Sequence, residues 1–176
     1  VRDMSTIDTP PPNRIPVHTS VCAYDERMIR DSVRRELERE GQVFFLHNRV
    51  QSIEMVRKRL QELVPEARIL VGHGQMGRDD LEEVMHAFVD GKADVLLSTT
   101  IIESGIDIPN ANTILIDRAD RFGLADLYQL RGRVGRATRR AYAILMLPRD
   151  QISTGDAKKR VNAIKQYTAL GSGFRI

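Results

Sequence analysis

Three arginines, Arg131, Arg133 and Arg136, fall within six positions in the stretch QLRGRVGR, which begins at Gln129. The guanidinium of arginine stays protonated, and its planar fork can bind two phosphate oxygens at once. No acid lies between Arg131 and Arg140 to neutralise these charges. If the helical spacing of the preceding residues continues, Arg133 and Arg136 share one face, which suits a polyphosphate. A solvated basic helix end would give the same pattern, because arginine also suits the helix dipole there.

Length and composition indicate that the chain forms a single domain. The chain has 176 residues, of which 41% are hydrophobic, so it can bury a sizeable core. The net charge of +3 does not by itself require a nucleic acid partner. The lone Cys22 excludes an internal disulfide framework and a cysteine-rich zinc site. No apolar run approaches the roughly 20 residues that cross a bilayer, and no signal peptide is visible. We therefore expect a cytoplasmic protein without a membrane partner.

Strands and helices are predicted to alternate along the chain. The predicted strands are residues 17–21, 43–46, 69–71, 95–97, 113–116 and 141–147, and the predicted helices are residues 25–40, 52–63, 78–89 and 157–167. Asp25 is the expected N-cap of the first helix, and Gly41 is its expected stop. The apolar run from Val43 to Leu46 is typical of a strand buried on both faces. This alternation predicts an α/β fold with a parallel sheet between two helical layers.

Polar or glycine-rich segments follow three of the predicted strands, where α/β sheets place their ligands. The first segment, His47-Asn48-Arg49, could equally be an ordinary exposed turn. The second, residues 72–77 (GHGQMG), either turns the chain or presents backbone N–H groups to a phosphate at a helix N-terminus. In the third, residues 98–100, hydroxyl groups could donate to a phosphate or cap a helix. The charged run at residues 117–121 is expected to line the same edge.

A further turn, GIDIP at residues 105–109, joins a glycine to a carboxylate. A carboxylate can accept both hydroxyls of a ribose, and a glycine lets the backbone approach a nucleotide, although an aspartate before a proline is also a common turn residue. The glycines at residues 72–77 do not form a Walker A loop, because no Lys-Ser or Lys-Thr follows them. His73 lacks a partner ligand at useful spacing, so no metal site is predicted.

Two stretches together resemble the fifth and sixth motifs of superfamily-2 helicases and translocases, namely STTIIESGIDIP at residues 98–109 and QLRGRVGR at residues 129–136. The longer run RADRFGLADLYQLRGRVGR is similar to the DNA-translocase branch, which contains the bacterial transcription-repair coupling factors and the RecG-type helicases. The stretches GQVFFLHNRV, GHGQM and ALGSGFRI favour the coupling-factor family. The resemblance covers nearly the whole chain, from about Ser5 to Ile176.

The resemblance implies a RecA-like three-layer fold with a mainly parallel sheet, the helicase C-terminal lobe, over residues 17–150. Residues 1–16, with prolines at positions 10–12 that cannot be helical, would be the linker between two motor lobes. Residues 151–176 would begin a translocation helical hairpin that is truncated here, with Arg160 taking part in translocation. Because the chain starts with Val1 rather than Met, we expect an excised piece of a longer protein.

The resemblance also implies half of an ATP site. Arg133 and Arg136 would be arginine fingers, and Gln129 would sense the nucleotide or position a finger. Gly105 and Asp107 would face the ATP. The chain has neither a P-loop lysine nor an Asp-Glu-x-His box, so ATP and Mg²⁺ are expected to bind mainly to a missing first lobe. The chain alone is therefore expected to be inactive.

The expected partner on the other side of the lobe is double-stranded DNA, contacted through its backbone and without regard to sequence. The residues that would make these contacts are Asn48, Arg49, His73, Gly74, Gln75, Thr99 and Thr100. RNA polymerase and an excision-repair protein are expected partners through other domains. Three alternatives remain: a lobe of a RecG-type branch-migrating helicase, a lobe of an RNA helicase, and a non-catalytic phosphate-binding or scaffold domain.

Overall fold

A computed structural model describes residues 17–99, 108, 110–122, 139–148, 159 and 162–163. The strands are β1 (Val17–Ala23), β2 (Gln42–His47), β3 (Ile69–Gly72), β4 (Val95–Ser98), β5 (Ala111–Asp117) and β6 (Ala141–Leu147). The helices are α1 (Glu26–Glu38), α2 (Val50–Leu63) and α3 (Arg78–Val89), with one turn of 3-10 helix at Ala119–Arg121. These strands and helices were all predicted, with boundaries that differ by no more than two residues; the 3-10 turn was not.

The six strands form one sheet in the order β1-β6-β5-β2-β4-β3. Every pairing between neighbouring strands is parallel. The predicted α/β fold with a parallel sheet is therefore confirmed. All six strands point the same way, so their carboxyl ends, and the loops that follow them, lie at one edge of the sheet.

Helices cover both faces of the sheet and divide the core into two layers. Phe45 belongs to the layer that contains Ile29 of α1 and Leu60 of α2. Its neighbour Phe44 belongs to the other layer, which contains Phe88 of α3. Successive side chains of a strand point to opposite faces, so an uninterrupted apolar run fills both layers. Burying each such side chain stabilises the fold by about 1.5–3 kcal/mol.

Helix α1 starts as predicted but ends differently. Its N-cap Asp25 accepts a hydrogen bond from the Arg27 N–H at 2.9 Å. At the other end the left-handed residue is Glu40, with φ 61°, and not the predicted stop Gly41. The Gly41 N–H donates to the Glu36 carbonyl at 2.9 Å, which closes the last turn. Glycine is needed at position 41 for space, because a Cβ there would overlap the Glu36 carboxylate.

That carboxylate is the centre of a buried polar cluster. Glu36 is 0% exposed, and its Oε1 accepts from Arg39 Nη2 at 2.7 Å. The Thr113 hydroxyl of β5 also donates to Oε1. Arg139, just before β6, donates from Nη1 to the Arg39 carbonyl at 2.9 Å. The cluster therefore joins α1 to β5 and to Arg139, which lies three positions after Arg136 in the sequence.

The proposed domain boundaries fall mostly outside the described residues. The linker at residues 1–16 lies wholly outside them, and only Lys159, Asn162 and Ala163 are described in the segment 151–176. These three residues are helical and exposed, as expected for part of the helix predicted at residues 157–167. None of the helices in the described part of the chain combines the length and the apolar character that crossing a bilayer requires.

Candidate nucleic-acid interface at the carboxyl ends of the strands

The loops after four neighbouring strands lie side by side at the carboxyl edge of the sheet. His47, the last residue of β2, pairs in register with Asp117, the last residue of β5. On the other side of β2, Leu46 pairs with Ser98 of β4, and Ser98 pairs with Gly72 of β3. Among the described residues, the predicted segments 47–49, 72–77 and 98–99 and the charged run 117–121 are thus brought to one edge, in the spatial order β5, β2, β4, β3.

A histidine joins the first two of these loops. The Nδ1 of His47 lies 2.8 Å from Asp117 Oδ2, and its Nε2 lies 2.7 Å from the Ser52 hydroxyl in α2. Both side chains of the His47–Asp117 pair are largely shielded from solvent, at 12% and 15% exposed. These hydrogen bonds fix the end of β5 against the start of α2.

A small polar cleft lies beside this histidine. It has a volume of about 110 Å³ and is lined by His47, Asn48, Arg49, Ser52, Arg118 and Arg121. Asn48 and Arg49, two of the predicted DNA-contacting residues, are both exposed there. Arg118 and Arg121 come from the charged run that was expected to line this edge, and that expectation is confirmed.

Arg118 is held in place by its backbone and by a carboxylate. It adopts φ 56° and ψ 54°, a left-handed conformation that is uncommon for residues other than glycine. Its Nε and Nη2 donate to the two carboxylate oxygens of Asp120 at 3.1 and 3.0 Å. This fork lowers the pKa of Asp120, so the pair stays charged at neutral pH.

Tyr24, which follows β1, also lies near Asp117. Burial raises the pKa of the Tyr24 phenol to about 12, and the charges of Asp117 and Glu26 add to the effect. The phenol therefore stays protonated at neutral pH and adds no charge to this edge of the sheet.

The glycine-rich loop after β3 uses its backbone N–H groups internally. The Gly74 N–H donates to Thr99 Oγ1 at 3.0 Å, and the Gln75 N–H donates to His73 Nδ1 at 3.3 Å. The Met76 N–H donates to the His73 carbonyl at 3.0 Å. In this structure the amides of residues 74–76 therefore have partners within the protein, and a phosphate dock at this loop stays a prediction. The exposed Gln75 and the half-buried His73 offer side-chain groups at the same loop.

Thr99, which follows β4, holds the glycine-rich loop in position. Its side chain is buried, with the residue only 2% exposed, and its N–H donates to the Gly72 carbonyl at 3.2 Å. The Thr99 hydroxyl is buried in this structure and accepts the Gly74 N–H, and its contact with DNA stays a prediction. In this structure Thr99 positions the loop that carries Gly74 and Gln75.

The remaining predicted site residues lie outside the described residues. They are Thr100, Gly105, Asp107, Gln129, Arg133, Arg136 and Arg160. Their roles stay predictions. Within the described ranges, no three side chains of His, Cys, Asp or Glu come together in a way that could hold a metal ion.

The model of the helicase conserved C-terminal domain matches residues 26–138, which include the cleft and the glycine-rich loop. The chain belongs to the family of helicase C-terminal domains. Among curated relatives, this helicase domain is 54% identical over 176 residues to the transcription-repair-coupling factor of Staphylococcus haemolyticus, and equally identical to that of Staphylococcus aureus strain USA300. The match covers 100% of this chain but only 15% of each relative.

Solved structures give the same fold. The domain is similar to RecG bound to a three-way DNA junction, with a TM-score of 0.74 and 35% identity, over 88% of this chain and 21% of that one. It also resembles the C-terminal domain of the DEAD-box protein Dbp5, with a TM-score of 0.61 and 18% identity, over 86% and 85% of the two chains. The second likeness concerns the fold alone. The predicted resemblance to coupling factors and RecG, and the predicted helicase C-terminal lobe, are confirmed.

Proposed function

We propose that this domain is the second motor lobe of an ATP-dependent double-stranded DNA translocase of the transcription-repair coupling type. The main observation in support is the 54% identity to coupling factors, which extends over the full chain. The row of exposed polar side chains at the carboxyl edge of the sheet is consistent with a DNA-facing surface.

On the nucleotide side, the lobe completes a site whose other half lies on a first lobe with a P-loop and an Asp-Glu box. ATP, with Mg²⁺, supplies the phosphoryl group whose transfer to water drives the motor. Arg133 and Arg136 bind the developing phosphate charge, and Gln129 positions a finger or senses the nucleotide. Gly105 and Asp107 face the ribose. In other systems an arginine finger contributes a factor of about 10³–10⁵ in rate.

On the DNA side, contacts come from the loops after β2, β3 and β4. Asn48 and Arg49 reach the backbone from the first loop, and His73 and Gln75 reach it from the second, where Thr99 holds Gly74 in place. Thr100 adds a contact after β4. Phosphate contacts carry no sequence information, which suits a motor that moves along any DNA.

The name of the relatives, transcription-repair-coupling factor, supports a role of the motor in linking transcription to repair. The full protein would push forward an RNA polymerase stalled at a lesion, release it from the DNA, and help to recruit excision repair through other domains. Arg160 would belong to the hairpin that couples ATP turnover to movement. A RecG-type branch-migrating helicase is the second candidate, favoured by the 35% identity and TM-score of 0.74 to RecG.

ATP hydrolysis by the lobe alone and by the two-lobe protein tests this proposal. We expect no hydrolysis by the chain alone with DNA, because it lacks the P-loop and the metal-binding acids. We expect DNA-stimulated hydrolysis once a first lobe is joined to it. Hydrolysis by the chain alone would contradict the half-site. Release of stalled RNA polymerase by the full protein then separates the coupling factor from the RecG-type alternative.

A further inference from the structure

We propose that Arg118 and Arg121 join Asn48 and Arg49 in a clamp for one backbone phosphate of the bound DNA. The inference rests on the proposed function and extends it, because the DNA contacts predicted from the sequence come only from the loops after β2, β3 and β4. The cleft described above brings the loop after β5 into the same site. Arg118 and Arg121 then act as DNA-contacting residues.

The lining of the cleft has the charge that an anion needs. Three of its six lining residues are arginines, and none is an aspartate or glutamate. Arg49 is the N-cap of α2, whose first turn contains no acidic residue, so the helix dipole adds positive potential. Arg49 and Arg121 are both exposed. The hydrogen bonds of Arg118 and, to a smaller extent, the charge of Arg121 lower the pKa of Asp120, so this carboxylate interacts with both arginines.

The size of the cleft limits the ligand. Pockets that enclose whole small molecules measure about 300–1,000 Å³, whereas this one measures about 110 Å³. It therefore suits a single phosphate group that remains attached to a larger molecule outside.

The cleft is also held together before any ligand arrives. The Asp120 carboxylate holds the guanidinium of Arg118 from one side. The hydrogen bonds of His47 to Asp117 and Ser52 tie the loop after β5 to the start of α2. A phosphate would thus meet donors from two loops that are already fixed relative to each other, which reduces the entropy lost on binding. Asp120 offsets part of the charge of Arg118 and, more weakly, of Arg121, and Arg49 adds positive charge from the start of α2.

Two molecules could bring the phosphate, the DNA strand or the nucleotide. We assign it to DNA because Asn48 and Arg49 belong to the same cleft, and because the loop of His73 and Gln75 lies at the same edge two strands away. A row of phosphate contacts along one edge matches the repeating charge of a DNA backbone.

The test is the salt dependence of DNA binding by the two-lobe protein that carries Arg118→Gln and Arg121→Gln. Loss of one phosphate contact should reduce the slope of log K against log salt by about 0.9. The single variant Arg121→Gln should also lower this slope, and it should not affect folding because the side chain is exposed. Arg27→Gln is the matched control, because Arg27 is also exposed at this edge of the sheet but lines a different cleft. The slope of the Arg27→Gln variant should match that of the wild type, apart from a small effect of losing one positive charge.

Three outcomes would overturn the clamp. If the slope is unchanged in both Arg121→Gln and the double variant while Arg49→Gln reduces it, the clamp is wrong but the DNA edge survives. If Arg49→Gln also has no effect, the proposed DNA edge fails as well. If the DNA slope is unchanged while the KM for ATP rises, the phosphate belongs to the nucleotide. A reduced slope in both variants, with an unchanged Arg27→Gln, supports the clamp.

Discussion

The hydroxyl of Thr99 shows how one buried atom can shape an exposed surface. Its Oγ1 accepts the Gly74 N–H at 3.0 Å, while its own backbone N–H is fixed to Gly72. The loop at residues 73–77 is thereby attached to the end of β4 through the backbone of Gly74. A residue that is 2% exposed can thus control where Gln75 and His73 point.

Replacing Thr99 by valine tests this control. Thr99→Val keeps the shape of the side chain but removes the acceptor, so the loop loses one hydrogen bond with a net value of about 1 kcal/mol. We expect a small loss in the free energy of unfolding, measured by urea titration, and a several-fold weaker DNA affinity of the two-lobe protein. Thr99→Ser, which keeps the oxygen, should bind DNA nearly normally. Wild-type DNA affinity in Thr99→Val would show that the hydroxyl does not position the loop.

At the scale of elements, the buried Glu36 cluster links α1 to two neighbouring strands of the sheet. Its members come from α1, from β5 and from the residue before β6. The guanidinium of Arg35 adds to this junction, since it lies 3.8 Å from the centre of the Tyr142 ring in β6. Arg139, the residue two positions before β6, is therefore held against the end of α1.

Two variants test the cluster by stability. Glu36→Gln removes the charge of a carboxylate that accepts three hydrogen bonds, two from Arg39 and one from Thr113, and should lower the free energy of unfolding by about 2–3 kcal/mol. Gly41→Ala should be destabilising because its new Cβ would overlap the Glu36 carboxylate. Gly77→Ala is the control, since a Cβ there meets only Asp80 Oδ2 at 3.8 Å. Equal stability of the Gly41 and Gly77 variants in urea titrations would rule out the crowding at Gly41.

The elements could be predicted from sequence because their signals are local. The apolar stripe of α1, its cap at Asp25 and the run Val43–Leu46 each depend on residues a few positions apart. The Glu36 cluster could not be predicted, since Thr113 lies 77 positions away from Glu36. The His47–Asp117 contact spans 70 positions and depends on β5 lying next to β2. The partners of the loop amides could be predicted only in part: the Met76 N–H bonds within a local turn, whereas the Gly74 N–H donates to Thr99, 25 positions away.

At the scale of the whole molecule, two groups of residues lie at opposite ends of the strands of the sheet. The candidate DNA edge lies at the carboxyl ends of the strands, while the Glu36 cluster and Arg139 lie near the start of β6. The stretch with Arg133 and Arg136 connects the two ends in sequence, between β5 and β6. A lobe built in this way could bind DNA through one set of residues and support ATP hydrolysis through another. The two activities should then be separable by mutation.

The most direct measurement of this claim is DNA-stimulated ATP turnover by the two-lobe protein with Arg136→Ala, alongside its DNA affinity. We expect turnover to fall at least about 10³-fold, because a cation on the developing phosphate charge is lost. DNA affinity should stay close to the wild-type value. Arg140→Ala, at an exposed arginine four positions later, should keep turnover. Wild-type turnover in Arg136→Ala would contradict the proposal that this lobe supplies arginine fingers to a shared ATP site.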